Sequence, residues 1–392
     1  EWPEYPLGHY WLALARVRAG QPKQARAELL RAIELKEDLL EAHMLLGLLY
    51  LRSGEVKLAL QEYDRVLRAD PRNKQALLRR GDCLLRLRRL EEAEAAYRKA
   101  LEVDPRDPRG HERLGVTLLL RGKAGEALRC FERALELNPR MFSALANICT
   151  VYLRQGKAEA AIKRCRQQLQ RVGDQPMLYQ LLGGLYLRVK RLQLAEKAYK
   201  RALELDDRFL PAYLGLARLY GLQGRLDQAA REYEEALRRN PRLLTARMML
   251  GAICDARGDH QRAMEHYRKL LEIAPEFVPA LNNLAWDLVE HGGNLDEALT
   301  LAQRALERAP DNPYVADTLG WILCHKGAYL RAIALLEKAA ERLRDNPYVH
   351  YHLARAYLGK GDRARAEQEL RRALQLKPDL EEAKRALREL EG

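Results

Sequence analysis

The sequence lacks the short motifs that accompany bound metals and covalent catalysis. Its six cysteines contain no CxxC pair, and no spacing of histidine with cysteine fits a zinc site. His260 and His266 lie close in sequence but have no third partner at ligand spacing. A phosphate-binding glycine loop and a nucleophile elbow are also absent. We therefore predict a protein that is not an enzyme and that has no catalytic residue, no metal site and no cofactor.

Long apolar runs are missing as well. No stretch approaches the roughly 20 apolar residues that are needed to span a bilayer, and no signal sequence stands at the start. We predict no direct membrane insertion by this segment. Cysteines without evident partners behave as small buried hydrophobic residues and favour a reducing compartment. The localisation therefore stays unknown, with the cytoplasm favoured and the periplasm or cell envelope as the alternative.

Aromatic residues are scarce where the positive charge is densest. The formal net charge is +13, and the densest basic segment, LLRRGDCLLRLRRLEE, is followed by Arg106, Arg109 and Arg113. A nucleic-acid site would interleave aromatic side chains with this charge, but only Tyr97 lies nearby. We predict no nucleic-acid partner. The arginines indicate either a solvated helix surface or a site for an acidic ligand.

What the sequence does contain is a strict period. Glycines recur at intervals of 34 residues or twice 34, with one 35-residue step that ends at Gly293. Arg88 and Lys190 stand close to the places where a glycine is due. Self-similarity of this length is typical of stacked helical hairpins, each of which needs its neighbours to bury its apolar face. The recurring glycines are Gly20, Gly54, Gly122, Gly156, Gly224, Gly258, Gly293, Gly327 and Gly361.

Two sets of small residues keep the same register. One set stands seven positions before each turn and the other stands five positions after it. Because a larger side chain would separate the backbones, these sets predict that paired helices approach closely. Prolines such as Pro71, Pro139 and Pro241 then end one hairpin and introduce the next. Examples of the two sets are Gly47, Gly81, Gly115, Gly183 and Gly251 before the turns, and Ala59, Ala93, Ala127, Ala195 and Ala263 after them.

On these features the chain resembles the tetratricopeptide repeat family over essentially its whole length. Segments such as AEAAYRKALEVDP, ALRCFERALELNP and AAREYEEALRRNP are similar to the second helix of that repeat and its closing proline. The resemblance implies an all-α fold, a right-handed superhelical solenoid of about eleven 34-residue helix-turn-helix repeats. We expect one domain over residues 1–392, with a capping helix at 381–392. The repeat starts are placed at Pro6, Leu40, Lys74, Pro108, Phe142, Pro176, Leu210, Leu244, Val278, Pro313 and Pro347.

Histidine recurs at one position of the repeat. The fourth residue of the first helix is His9, His43, His111 or His350 in four of the copies. We expect each of these side chains to be a satisfied core or boundary histidine that packs against the neighbouring repeat.

The first repeat has no polar cap. Pro3 occupies the closing-proline position of a preceding repeat, and the segment GHYWLALARV is strongly apolar. Since the end of a solenoid usually needs a polar outer face, we expect the chain to begin within a longer solenoid or a larger protein. A short ordered N-terminal segment is the other interpretation. Docking of this repeat on another copy would give a homo-oligomer.

In this family the first helix of each hairpin lines a concave groove, and the last three repeats carry unusual residues there. Aromatic and arginine side chains are enriched at binding hot spots, and asparagine can pair with the backbone of an extended peptide. We predict that a peptide or protein partner binds here. The alternative is that the tryptophans fill the interior between hairpins. The candidates are Asn282, Asn283, Trp286, Tyr314, Asp317, Thr318, Trp321, Tyr348, Tyr351, His352 and Arg355.

A second group of inward-facing candidates suits an acidic ligand. Arg109 and Arg113 match the third repeat of the family's chaperone-tail clamp, but Met44 and Leu48 depart from its first repeat. The asparagine ladder of glycosyltransferase-linked members is present at only two positions. The candidates of this group are Arg79, Asp82, Arg109, Arg113 and Asn147.

A further resemblance concerns the segment that runs from NNLAWDLVEHGGNLDEA to AIALLEKA. It is similar to the C-terminal part of bacterial tetratricopeptide proteins of exopolysaccharide export and surface-protein sorting, which implies an envelope scaffold. Our leading hypothesis is a non-enzymatic interaction scaffold that binds a peptide or protein partner in its groove. The alternatives are a regulatory or substrate-recruiting arm of a larger enzyme and a self-assembling scaffold.

Overall fold

The computed structural model describes residues 4–391, which form 23 α-helices. No strand occurs in this range, and none of its helices is long and apolar enough to cross a membrane. The chain divides into two compact units, residues 1–207 and 208–392. Pro3, from which a preceding repeat was predicted, lies outside the described residues.

The first unit consists of six helical hairpins. Each odd-numbered helix packs against the even-numbered helix that follows it. The helices are α1 (Pro6–Arg18), α2 (Pro22–Leu35), α3 (Leu40–Arg52), α4 (Val56–Ala69), α5 (Lys74–Arg86), α6 (Leu90–Val103), α7 (Pro108–Leu120), α8 (Ala124–Leu137), α9 (Phe142–Arg154), α10 (Ala158–Val172), α11 (Pro176–Arg188) and α12 (Leu192–Leu205).

The second unit consists of five hairpins and a final helix, α23, which packs on α22. The first helix of every hairpin in both units begins at the residue that starts a repeat in the sequence. The helices are α13 (Leu210–Leu222), α14 (Leu226–Arg239), α15 (Leu244–Ala256), α16 (His260–Ile273), α17 (Val278–Glu290), α18 (Leu295–Arg308), α19 (Pro313–His325), α20 (Tyr329–Arg342), α21 (Pro347–Lys360), α22 (Arg363–Leu376) and α23 (Glu381–Glu391).

The predicted close approach of paired helices is confirmed. In five hairpins a glycine of the first helix faces an aromatic ring of the second, and a Cβ added at Gly81 would lie 2.5 Å from the ring of Tyr97. The rings fill the space that the missing side chain leaves, and Tyr97 is fully buried. The five pairs are Gly47 with Tyr63, Gly81 with Tyr97, Gly115 with Phe131, Gly183 with Tyr199, and Gly251 with Tyr267.

The turns inside the hairpins need a left-handed residue, which is the reason for the glycine period. The same conformation is imposed on Arg88 (φ 60°) and Lys190 (φ 58°), so the turn persists where glycine is absent. The spacing predicted that Gly293 is the left-handed residue of its turn, and this prediction is wrong. That residue is Gly292 (φ 73°), and Gly293 is inserted between it and the N-cap Asn294.

Local signals fix the starts of several first helices. Asp107, Asn312 and Asn346 each accept a hydrogen bond from a backbone N–H of the first turn. Pro313 and Pro347 follow at the first helical position, where proline removes no helical hydrogen bond. These caps set the register in which the first helices present their side chains.

Three of the four recurring histidines, among them His43, contact a glutamate on the second helix of their own hairpin. His43 Nδ1 lies 2.5 Å from Glu62 on the second helix of its own hairpin, and Nε2 lies 2.8 Å from the carbonyl oxygen of Glu37. Because both ring nitrogens face acceptors, the protonated ring donates twice. The hydrogen bond to Glu62 raises the pKa of His43. The main partner therefore lies in the same hairpin, whereas we had expected the neighbouring repeat.

Many surface charges are paired between repeats. Arg164 binds both carboxylate oxygens of Glu132 on the preceding second helix, and Arg98 reaches Glu126 in the following repeat. Glu91 likewise pairs with Arg121. These contacts pair arginines of one repeat with carboxylates of a neighbouring repeat.

We expect Gly183→Ala to lower the free energy of unfolding by about 1–3 kcal/mol, because its Cβ would overlap the ring of Tyr199. The adjacent Gly184→Ala is the matched control, since its Cβ would lie 3.8 Å from the nearest atom outside its own helix. That change should stabilise the helix by about 0.5–1 kcal/mol. Urea unfolding followed by circular dichroism measures both, and equal effects of the two substitutions would contradict the packing argument.

The stabilisation by His43 should depend on pH. Because the pKa of folded His43 lies above its ordinary value of 6.5, the stabilisation is complete below that value and is lost as pH rises through the raised pKa. We expect His43→Gln to lower the free energy of unfolding by about 1–3 kcal/mol near pH 6 and by less near pH 9. His111→Gln serves as the control, because His111 has the same position in its repeat as His43. Cys130 occupies the position that corresponds to Glu62, so His111 lacks this glutamate. A loss of stability in His43→Gln that is larger near pH 9 than near pH 6 would refute the role of the protonated His43 ring.

Candidate functional site

The predicted binding residues of the last three repeats lie on three first helices of the second unit. Helix α19 contacts both α17 and α21, so the three helices form one continuous surface. On α19 the residues Tyr314, Asp317 and Trp321 follow helical spacing and lie on one side. We call this surface the aromatic face and define it by Asn282, Asn283, Trp286, Tyr314, Asp317, Thr318, Trp321, Tyr348, Tyr351, His352 and Arg355.

The centre of the aromatic face is buried. Trp321 is only 7% exposed, its indole N–H donates to Glu290 at 2.6 Å, and its ring stacks on His352 with centroids 4.4 Å apart. His352 Nδ1 lies 2.8 Å from Asp317, and both side chains are buried. Thr318 is buried as well. The contacts of Trp321, His352 and Asp317 join α19 to α17 and α21, so the packing interpretation applies to Trp321.

Two aromatic side chains flank this buried centre and are half-buried. Trp286 lies 5.5 Å from the ring of His352, and Tyr351 lies 5.9 Å from the ring of Trp321. Burial raises the pKa of Tyr351, which keeps its hydroxyl neutral. Each ring therefore has one side against fixed neighbours and part of its surface open to solvent.

The rim of the aromatic face is exposed and carries both aromatic and charged groups. Tyr314 is 58% exposed and Tyr348 is 45% exposed. Lys377 donates to the hydroxyl of Tyr348 at 2.7 Å and lies 5.0 Å from its ring centroid. Arg355 is exposed. The rim thus offers aromatic surface for burial and guanidinium and ammonium groups for a carboxylate.

The side chains of the two predicted asparagines, Asn282 and Asn283, have different surroundings. Asn283 donates to the hydroxyl of Tyr267 at 3.3 Å. The side-chain oxygen of Asn282 is buried and has no hydrogen-bond partner among the described residues. The Asn283 amide therefore pairs with a side chain of the preceding helix, and contact of the two asparagines with a peptide backbone stays a prediction.

The second group of candidates, in the first unit, is organised around an acidic residue. Asp82 lies 3.7 Å from Arg79 and 3.3 Å from Arg113, and it accepts a hydrogen bond from Tyr97 at 2.9 Å. Two of the candidate arginines are therefore already partly neutralised. Arg109 is exposed, and Asn147 is half-buried.

One cluster was missed by the sequence analysis. His260 has two neighbours at ligand distance, Asp287 and His291, whereas His266 is not part of the cluster. The three residues come from different parts of two repeats, and His291 follows the end of α17. Asp287 and His291 stand four residues apart, but His260 comes 27 residues before Asp287, so no short motif joins all three.

We expect Trp321→Ala to lower the free energy of unfolding of the second unit by about 3–5 kcal/mol, because it removes a buried ring and leaves Glu290 without its donor. Tyr314→Ala, on the same helix but exposed, should change it by at most about 0.5 kcal/mol. Chemical denaturation followed by circular dichroism separates these outcomes. A loss of similar size in both variants would argue against a buried centre.

The fold defines a class, that of all-α helical-repeat proteins built from successive helical hairpins. Family models of the tetratricopeptide repeat match residues 10–74, 44–109 and 214–276, residues 118–185, 256–322 and 325–390, and residues 178–209. The second of these models alone matches more than half of the chain. The chain belongs to the tetratricopeptide repeat family, and this membership indicates a protein–protein interaction scaffold.

A solved structure shares the fold. A chain of the APC/C hetero-tetramer Cut9–Hcn1 is 17% identical with a TM-score of 0.52, and the match covers 98% of this chain and 90% of that chain. YrrB, described as a TPR protein with an unusual peptide-binding site, is 22% identical with a TM-score of 0.41 over 49% of this chain and 98% of that chain. No curated protein matches the sequence.

Proposed function

We propose that this protein is a non-enzymatic scaffold that binds an extended peptide or a protein segment on the aromatic face. The observation that carries the proposal is the contrast within that face. Its centre is a buried network of Trp321, His352 and Asp317, and its rim leaves Tyr314, Tyr348 and Arg355 exposed. The exposed groups therefore stand on a rigid base.

A rigid base favours binding because less conformational entropy is lost when a partner docks. Trp286 and Tyr351 are each held on one side by ring contacts, so their remaining surface is already ordered. Aromatic side chains of this kind bury a large area with few rotatable bonds, which is why they are enriched among residues that dominate binding energy.

Charge on the rim supports a partner with a carboxylate. The exposed guanidinium of Arg355 belongs to the same helix as Tyr351, and Lys377 lies beside Tyr348. A carboxylate accepts a bidentate hydrogen bond from arginine, which would fix the direction of a peptide. We therefore propose that the bound segment combines apolar side chains with at least one acidic group.

The test uses selection from a library of random peptides displayed on phage, with the full chain as bait. We expect selected peptides to combine aromatic or aliphatic residues with an acidic residue. For a synthetic selected peptide, Trp286→Ala combined with Tyr351→Ala should weaken binding by at least about 30-fold, measured by fluorescence anisotropy. Trp321 is left unchanged, because its substitution alters packing instead of the contact surface alone.

Leu330→Ala is the control, since Leu330 is a highly exposed apolar residue on the second helix α20. It should leave the peptide affinity unchanged, and circular dichroism should show the same helix content in all variants. The aromatic face is ruled out if the selected peptides bind the double variant as tightly as the unchanged chain. It is also ruled out if Leu330→Ala weakens peptide binding as much as the double variant does.

The other hypotheses stay predictions. A role in an envelope or exopolysaccharide system, an enzyme-bound arm and self-assembly through the N-terminal repeat depend on resemblance or on the apolar start of the chain. An acidic ligand near Arg109 is likewise a prediction, and the compensation of Arg79 and Arg113 by Asp82 makes that region the weaker candidate.

A further inference from the structure

Three potential metal ligands meet where repeats eight and nine pack together in the second unit. His260 is the first residue of α16, Asp287 lies on α17, and His291 caps the end of α17. One ligand atom from each residue lies within 4.8 Å of the others. Around a tetrahedral ion with bonds of about 2.0–2.1 Å, ligand atoms lie roughly 3.3 Å apart. Because an imidazole nitrogen binds a metal in the plane of its ring, one ring of the His260–His291 stack would have to rotate for all three ligand atoms to reach one ion.

One oxygen of the carboxyl group in this cluster is buried without a hydrogen-bond partner among the described residues. Asp287 is only 3% exposed, and its Oδ2 has no hydrogen-bond partner among the described residues. Buried carboxylates in proteins are paired with a cation, hydrogen-bonded or bound to a metal. This oxygen is therefore available to a cation that enters the cluster.

The two imidazoles are arranged around this carboxylate. Their rings are stacked with centroids 3.4 Å apart and an interplanar angle of 17°. His291 is exposed and His260 is half-buried, so the cluster opens to solvent on the histidine side. An ion can enter from this side and meet the buried oxygen at the inner end.

A second layer of polar groups holds the cluster in place. Asp255, near the end of α15, lies 3.4 Å from Nδ1 of His260 and accepts a hydrogen bond of 2.6 Å from Tyr267. Asn283 in turn donates to that tyrosine. A carboxylate behind a histidine that binds metal orients the ring and increases its basicity.

We propose that His260, Asp287 and His291 form a binding site for one divalent transition-metal ion, with Zn²⁺ as the ion that fits best. Imidazole nitrogen and carboxylate oxygen suit zinc and its first-row neighbours, whereas Mg²⁺ and Ca²⁺ prefer sites built from oxygen. Asp255 acts as the positioning residue of His260.

The consequence of binding is local and structural. The ion would join the first residue of α16 to the end of α17, and therefore repeat eight to repeat nine. His291 directly precedes Gly292 and Gly293, where the chain carries its extra turn residue. The longer turn separates α17 from α18 at the point where the metal would hold the helix end.

The experiment titrates the chelator-treated full chain with ZnCl₂ in an isothermal calorimeter. We expect one Zn²⁺ per chain, no saturable response to MgCl₂, and a melting temperature that rises by about 2–4 °C with saturating Zn²⁺. Co²⁺ in place of Zn²⁺ should give visible bands without the near-ultraviolet band of a thiolate ligand, which separates this site from the cysteines.

Variants decide whether the named residues bind the ion. His291→Ala and Asp287→Asn should each weaken Zn²⁺ binding by at least about 100-fold, and Asp255→Asn by about 10–100-fold. Without metal, Asp287→Asn should keep or raise the melting temperature, because a neutral amide replaces an unpartnered carboxylate. This combination distinguishes a ligand from a residue that only supports the fold.

His111→Ala, in the first unit, is the matched histidine control and should bind Zn²⁺ like the unchanged chain. The proposal fails if the unchanged chain shows no saturable Zn²⁺ binding. It also fails if His291→Ala and Asp287→Asn bind Zn²⁺ with unchanged affinity, or if the Co²⁺ complex shows a thiolate band.

Discussion

The close contact between a small residue on one helix and a larger side chain on the next is the constraint on which the hairpins depend. At Gly81, Gly183 and Gly251 an added Cβ would lie 2.4–2.5 Å from the facing ring. Close packing of this kind leaves no room for a larger residue. Where the ring is replaced, the contact changes in kind: Gly320 faces Leu336, and Cys149 and Cys165 are both buried at the corresponding positions. With the hairpin fixed, its remaining apolar surface can be buried only against neighbouring hairpins.

The same constraint explains where chemical variety can occur. The residues that hold a hairpin together are nearly the same in every copy, so differences between copies fall on the surface of the first helices and in the turns. In the second unit the first helices carry a buried Trp321–His352–Asp317 network with exposed aromatic residues around it. In the first unit the equivalent surface carries the Arg79–Asp82–Arg113 contacts. The two units therefore share a fold and differ in the chemistry of their first-helix surfaces.

Helix α17 connects the two sites discussed for the second unit. It carries Trp286 of the aromatic face, and it ends at the cluster of Asp287 and His291. Tyr267 lies beside both, because it accepts a hydrogen bond from Asn283 and donates one to Asp255. An ion bound at the end of α17 would thus reduce the freedom of the helix that presents Trp286. The two sites are linked by direct side-chain contacts around α17.

The sequence by itself determined the architecture, because each repeat is a local unit whose helix starts, turns and small residues recur within 34 positions. Even the left-handed conformation of Arg88 and Lys190 followed from the period. The displaced turn glycine, Gly292, did not, because an inserted residue can lie on either side of the turn. Only the tertiary structure determines which residues of the aromatic face are exposed. Trp321 is buried and Tyr314 is exposed because of the way in which neighbouring first helices pack. The meeting of His260, Asp287 and His291 was likewise invisible in the sequence, since contacts between helices of successive repeats have no short spacing that marks them.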